Sequence, residues 1–244
     1  YGLLSWVTEA VTGEQYMQVL VDHIIEPLEM ASTVPNLDSD RVAEIVAEMA
    51  RPYQVDDLGS IVLADYQTTG DVDAASGMVS TVLDLAKFDV AMDRDLLVSA
   101  DTKATMYTPA VSNNGDTLPY GMGWFVQEHD GTELVWHYGW ETAYSSLIVK
   151  VPEQNLTFIL LANSDRASSP FNLGAGDLLN SPFASRFLEL FADSDGAQAP
   201  ISAQTDTEPS FEHGSCPYSI PPDAVEGEDV VCGYVIVPED HANP

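Results

Sequence analysis

The stretch YGMGWFVQEHDGTELVWHYGWETAYSSLIVKVPEQNLTFILLA, residues 120–162, decides the fold. Aromatic and β-branched residues alternate along it, and turn formers interrupt at Asp130-Gly131 and at Pro152-Glu153-Gln154-Asn155. That is the pattern of antiparallel strands joined by hairpins. It predicts strands over Tyr120–Glu128, Glu133–Tyr138, Tyr144–Val151 and Leu156–Ala162.

The period changes upstream. Leu3, Leu4, Val7 and Val11 recur at helical spacing before Gly13, a helix-ending residue. Thr12 and Gln15 fit a capping box for a second helix, whose face would hold Tyr16, Val19, Leu20, His23 and Ile24 before Pro27 stops it. A third helix is expected over about 40–50, and a fourth after Ser80 as N-cap, carrying Leu83, Leu85, Phe88 and Met92. Downstream of the strands, about 180–192 reads as a closing helix with Phe183, Phe187, Leu188 and Phe191 on one side. Helices followed by an antiparallel meander and a last helix make an α+β domain over residues 1–192, with the helices packed on the sheet.

Beyond Arg186 there is no Lys or Arg, and 7 of the 15 prolines lie at or after Pro200. Residues 193–212 therefore read as a disordered acidic linker, followed by a short segment over 213–244. That segment holds the two cysteines, Cys216 and Cys232. With no other thiol in the chain, a small disulfide in an exported protein is the preferred reading over zinc or two free thiols. The chain starts at Tyr1 without Met, inside a helical pattern, and stops at Pro244 without a recognisable terminus. A longer parent on both sides is the expectation.

Eight Lys and Arg against 39 Asp and Glu give a formal net charge of −31. Such a surface repels nucleic-acid phosphates, which are bound by displacing counterions with cations, and it repels anionic lipid headgroups equally. No run reaches the roughly 18 apolar residues of a membrane helix. A hydrophobic fraction of 45% is nonetheless high enough for a packed core.

No complete active site is legible. The five histidines are scattered, which disfavours a metal site, and there is no Gly-rich phosphate loop with a Lys. Neither a Ser-x-x-Lys helix nor a Gly-x-Ser-x-Gly elbow occurs. What stands out is Val135-Trp136-His137-Tyr138-Gly139-Trp140, a histidine inside a strand, flanked by tryptophans and followed by a glycine. Glycine in a strand marks close approach of a backbone or ligand. Spacing alone leaves open whether His137 is a structural histidine in an aromatic cluster or a substrate-facing one.

Several patches, in order, resemble the C-terminal part of the serine β-lactamase and penicillin-binding-protein-like family. Tyr1-Gly2-Leu3-Leu4 through Val11-Thr12-Gly13-Glu14, then Ile25-Glu26-Pro27-Leu28-Glu29-Met30-Ala31-Ser32-Thr33, is similar to its helix pair ending in a Pro-Leu-Gly-Met-x-x-Thr turn. Ser80-Thr81-Val82-Leu83-Asp84-Leu85-Ala86 resembles a Ser-Thr-x-x-Asp-Leu-Ala helix start, and Tyr120-Gly121-Met122-Gly123-Trp124, His137-Tyr138-Gly139 and Leu160-Leu161-Ala162-Asn163 resemble its strands. The resemblance implies an acyl-transfer serine hydrolase of small-molecule or peptide substrates, without a cofactor, working outside the cytoplasm. Of its three motifs only the Lys-Thr-Gly or His-x-Gly strand maps here. His137 takes the position of the side chain facing substrate, Tyr138 and Gly139 line the acyl group, and the backbone N–H of Trp140 matches one oxyanion-hole donor.

The Ser-x-x-Lys and Tyr-x-Asn motifs are absent, so the chain is expected to be inactive alone and to need the N-terminal half of its own domain. Trp140, Glu141 and Ala143 replace the usual small residues after the glycine. They narrow the cleft and place an acid beside it, favouring a neutral ester, amide or peptide over a β-lactam carboxylate. The alternative is a non-catalytic module that binds peptides or cell-wall pieces. The tail, Cys216-Pro217 and then Val231-Cys232 through Val237-Pro238-Glu239-Asp240-His241-Ala242-Asn243-Pro244, resembles the disulfide-linked start of secreted tripeptidyl-aminopeptidase-type α/β-hydrolases.

Overall fold

A computed structural model describes residues 1–34, 45, 48–56, 59–65, 72–192, 210–214 and 232–236. Contacts divide the chain into two compact units, Tyr1–Asp193 and Ser194–Pro244. The first is α+β, as the periodicities predict.

Helix α1 spans Leu3–Thr12 and ends at Gly13 in the left-handed region. The expected capping box is not formed. Thr12 belongs to α1, where its hydroxyl bonds the Thr8 carbonyl, and the Tyr16 N–H is capped instead by the Glu9 carboxylate. Helix α2, Tyr16–Leu20, passes into a π-helical turn at Val21–Ile25. The extra residue in that turn rotates the face, so Ile25 is buried and His23 is exposed. Leu20, Ile25, Met30 and Val72 form a small core there.

The 27–33 turn docks on the next helix. Strands β1 (Tyr53–Val55) and β2 (Ile61–Leu63), a short hairpin, precede helix α3 at Val82–Asp93. Its N-cap is Thr81, which accepts from the Asp84 N–H, and not Ser80, whose hydroxyl is engaged with that of Thr33. Buried Asp84 accepts from the Ser32 N–H at 2.7 Å, the Thr33 hydroxyl at 2.9 Å and Lys87 at 2.9 Å. Burial would raise its carboxyl, but these bonds and the Lys87 charge outweigh it and hold the group below its ordinary value. Glu29, where the resembled turn has Gly, sits at φ 52°.

Helix α4 (Ala100–Met106) leads to a four-stranded antiparallel sheet of β3 (Phe125–His129), β4 (Thr132–Glu141), β5 (Tyr144–Val151) and β6 (Leu156–Ala162), in that order across the sheet. Asp130 and Gly131 both take positive φ, 50° and 82°, as a type I′ hairpin requires. Leu134, Trp136, Leu147, Val149 and Val151 line one face, on which Leu173, Leu178, Ala184 and Leu188 pack. On the other face Lys150 of β5 is buried against Asp89 and Asp93 of α3.

The closing helix differs from expectation. It is α5 at Pro182–Phe187, capped by Ser181, followed by a π turn at Leu188–Ala192. Phe187 and Leu188 are buried, while Phe183 and Phe191 lie outside the core. The expected third helix falls largely outside the described residues, as do 193–209. In the second unit β7 (Ser210–Gly214) and β8 (Cys232–Ile236) form an antiparallel ladder. Cys216 lies outside the described residues, and with it the expected disulfide to Cys232. No helix among the described residues is long and apolar enough to cross a membrane.

Candidate active site

Strand β4 outruns its neighbour. β3 begins only at Phe125, opposite Trp136, whereas β4 continues to Glu141 paired with β5 alone. Backbone groups in an antiparallel strand point alternately to its two sides. Over Tyr138–Glu141, every other peptide therefore faces a side with no β3 residue opposite. His137, Tyr138, Gly139 and Trp140 stand at the start of this bare edge.

The loop before β3 supplies a partner. Tyr120 bridges Phe125, and a tight turn closes between them with the Gly121 N–H on the Trp124 carbonyl at 2.8 Å. A side chain at Gly121 would run into the Met106 and Thr108 carbonyls, so only glycine lets the turn lie there. The Tyr120 ring packs edge-on against Phe125 with centroids 4.6 Å apart. Its hydroxyl lies 2.9 Å from His137 Nε2, and on its other side it meets the hydroxyl of exposed Tyr1 in a short contact. Tyr1 precedes α1, so three distant segments converge in one line of polar atoms.

Half-burial lowers the pKa of His137 by penalising the charged ring, with contact to the Tyr138 backbone acting in the opposite direction. Tyr120 is raised, chiefly by burial, so its hydroxyl keeps its proton. A neutral imidazole beside a protonated phenol is a hydrogen-bonding pair, not an ion pair.

The remaining candidates divide by direction. Tyr138 packs its ring against the Trp136 core. Gly139 stands opposite Ser146 on β5, and a Cβ there would overlap the Ser146 hydroxyl, so the close approach signalled by this glycine comes from the neighbouring strand. Trp140 is 63% exposed. Glu141 turns back to accept the Thr142 N–H at 2.8 Å in the β4–β5 turn. Beside the line, Tyr1, Leu3, Leu4, Gly121, Met122 and Gly123 bound an open apolar cleft of about 690 Å³. Among the described residues no cluster of three or more His, Cys, Asp or Glu could hold a metal ion. Tyr1 and Tyr120 were not legible as site residues, because the spacings of 119 and 17 residues that separate Tyr1 from Tyr120 and Tyr120 from His137 follow no periodicity.

The chain is similar to several known proteins. The chain is 27% identical over 179 residues to penicillin-binding protein 4* of Bacillus subtilis, an alignment covering 68% of this chain and 38% of that protein. The fold matches the octameric penicillin-binding protein homologue from Pyrococcus abyssi with a TM-score of 0.57 and 25% identity, covering 77% of this chain and 44% of that one. It also matches D-amino acid amidase from Ochrobactrum anthropi SV3 at 0.53 and 25%, covering 66% and 49%. The chain thus spans less than half the length of these relatives. Residues 1–178 match the beta-lactamase family, and the chain belongs to that family of penicillin-binding-protein-like serine hydrolases.

Proposed function

We propose that this chain forms the His-x-Gly side of a serine acyl-hydrolase site acting on amides, esters or peptides, with the Ser-x-x-Lys and Tyr-x-Asn elements supplied by sequence ahead of Tyr1. The observation that carries the reading is the bare edge of β4 with a hydrogen-bonded His137 at its start. In such a site the serine oxygen adds to the substrate carbonyl, its proton passes to a neighbouring base, and the bond to the amine or alcohol breaks as that group takes up a proton. Water then cleaves the acyl-enzyme. His137 would face the substrate, and an unpaired N–H on the edge, assigned to Trp140, would donate to the oxyanion, at about 3–4 kcal/mol per donor in comparable sites.

Exposure of α1 supports the need for further chain. Leu3, Leu4, Trp6, Val7 and Val11 are exposed, the last at 81%, and a contiguous apolar surface of this kind marks a contact face. The exposed Trp140 and the acidic Glu141 favour neutral substrates over carboxylate-bearing ones, and the amidase among the relatives agrees with amide chemistry. Export from the cytoplasm and an α/β-hydrolase beginning in the tail belong to the same proposal.

The test joins the chain to the segment encoded ahead of it and compares His137→Ala with wild type on chromogenic esters and D-amino acid amides. Turnover should fall about 100-fold or more. Equal turnover would refute the assignment. The 244-residue chain alone should not react with a fluorophosphonate serine probe.

A further inference from the structure

Resting on the reading of His137 as a site residue, we propose that Tyr120 is a positioning residue that holds the His137 ring as the Nδ1–H tautomer, with Tyr1 completing the proton order of the line. Tyr120 has one hydroxyl proton and two neighbours, His137 Nε2 at 2.9 Å and the Tyr1 hydroxyl. The imidazole nitrogen is a far stronger base than a phenol oxygen, so the Tyr120 proton goes to Nε2. Tyr1 then donates to the Tyr120 oxygen. With its Nε2 lone pair engaged, the neutral ring carries its proton on Nδ1.

Nε2 faces Tyr120 and Nδ1 faces the Tyr138 backbone, which also favours a proton on Nδ1, so the protein holds the ring from both nitrogens. The strand thus carries a fixed neutral imidazole in place of a cationic side chain. The Tyr120 ring is itself held by Phe125 at 4.6 Å and by the 121–124 turn, so the hydroxyl that orients His137 cannot drift.

The experiment is ¹⁵N NMR of histidine-labelled 244-residue chain near pH 7.5, where ring nitrogen shifts report the tautomer directly. Wild-type His137 should be mainly Nδ1–H. Tyr120→Phe keeps the ring packing and removes the hydroxyl, and should raise the Nε2–H share of His137 with an unchanged far-ultraviolet dichroism spectrum. A wild-type ring that is mainly Nε2–H overturns the proposal, and needs no variant to be seen. So does a tautomer that Tyr120→Phe leaves as it was. Because the readout needs no turnover, it separates from the hydrolase assignment: an Nε2–H ring together with an inactive His137→Ala enzyme would retain the function and reject the positioning role.

Discussion

His137 is neutral for a physical reason that has consequences for stability as well as chemistry. Its ring is desolvated and faces phenols, with no carboxylate among its hydrogen-bond partners. The folded pKa therefore lies below that of a solvated histidine, about 6.5. In the window between the two, the unfolded chain binds more protons than the folded one, so stability rises with pH there and is level above about 6.5. Denaturant unfolding of wild type and His137→Asn at a series of pH values should show the wild type losing ground to the variant as pH falls below about 6.5. A constant difference down to pH 5 would contradict the burial of this ring. Trp136 has no exposed surface, and its indole N–H has no partner. It is held by packing, with Phe125 stacked at 4.3 Å.

At the scale of elements, period-2 alternation was readable because β4, β5 and β6 each have one face on a core, and the Asp130-Gly131 turn was readable because only a few residue pairs tolerate its positive φ. What escaped was decided by side-chain competition. Ser80 and Thr81 are both good caps, and the hydroxyl of Thr33, brought in from another segment, takes Ser80 out of contention. The start of the first strand moved from Tyr120 to Phe125 because the 121–124 turn intervenes. Gly139→Ala would push a methyl into the Ser146 hydroxyl and should cost about 1–2 kcal/mol. In a Ser146→Ala background the obstructing oxygen is gone, and the same change should cost less than half as much. Additive losses in that double-mutant cycle would mean that the overlap is not the reason for the glycine.

Over the whole molecule, charge dominates. With a net charge of −31 there are few cations to pair, and two of them, Lys87 with Asp84 and Lys150 with Asp89 and Asp93, hold α3 to the 27–33 turn and to the sheet. The remaining carboxylates repel one another across a Debye length of about 10 Å at 0.1 M salt. Adding sodium chloride to about 2 M should therefore raise the melting temperature of the chain by several degrees, and an unchanged or lowered value would argue against self-repulsion as a limit on its stability.

The sequence by itself determined the α+β class, the hairpin turns and the strand on which the candidate histidine sits, because each depends on local periodicity. Only the tertiary structure decided which residues surround that histidine. Tyr1, Tyr120 and Ser146 come to the strand from a helix start, a loop and a neighbouring ladder, and hydrogen bonds between groups so far apart in the chain leave no periodic trace.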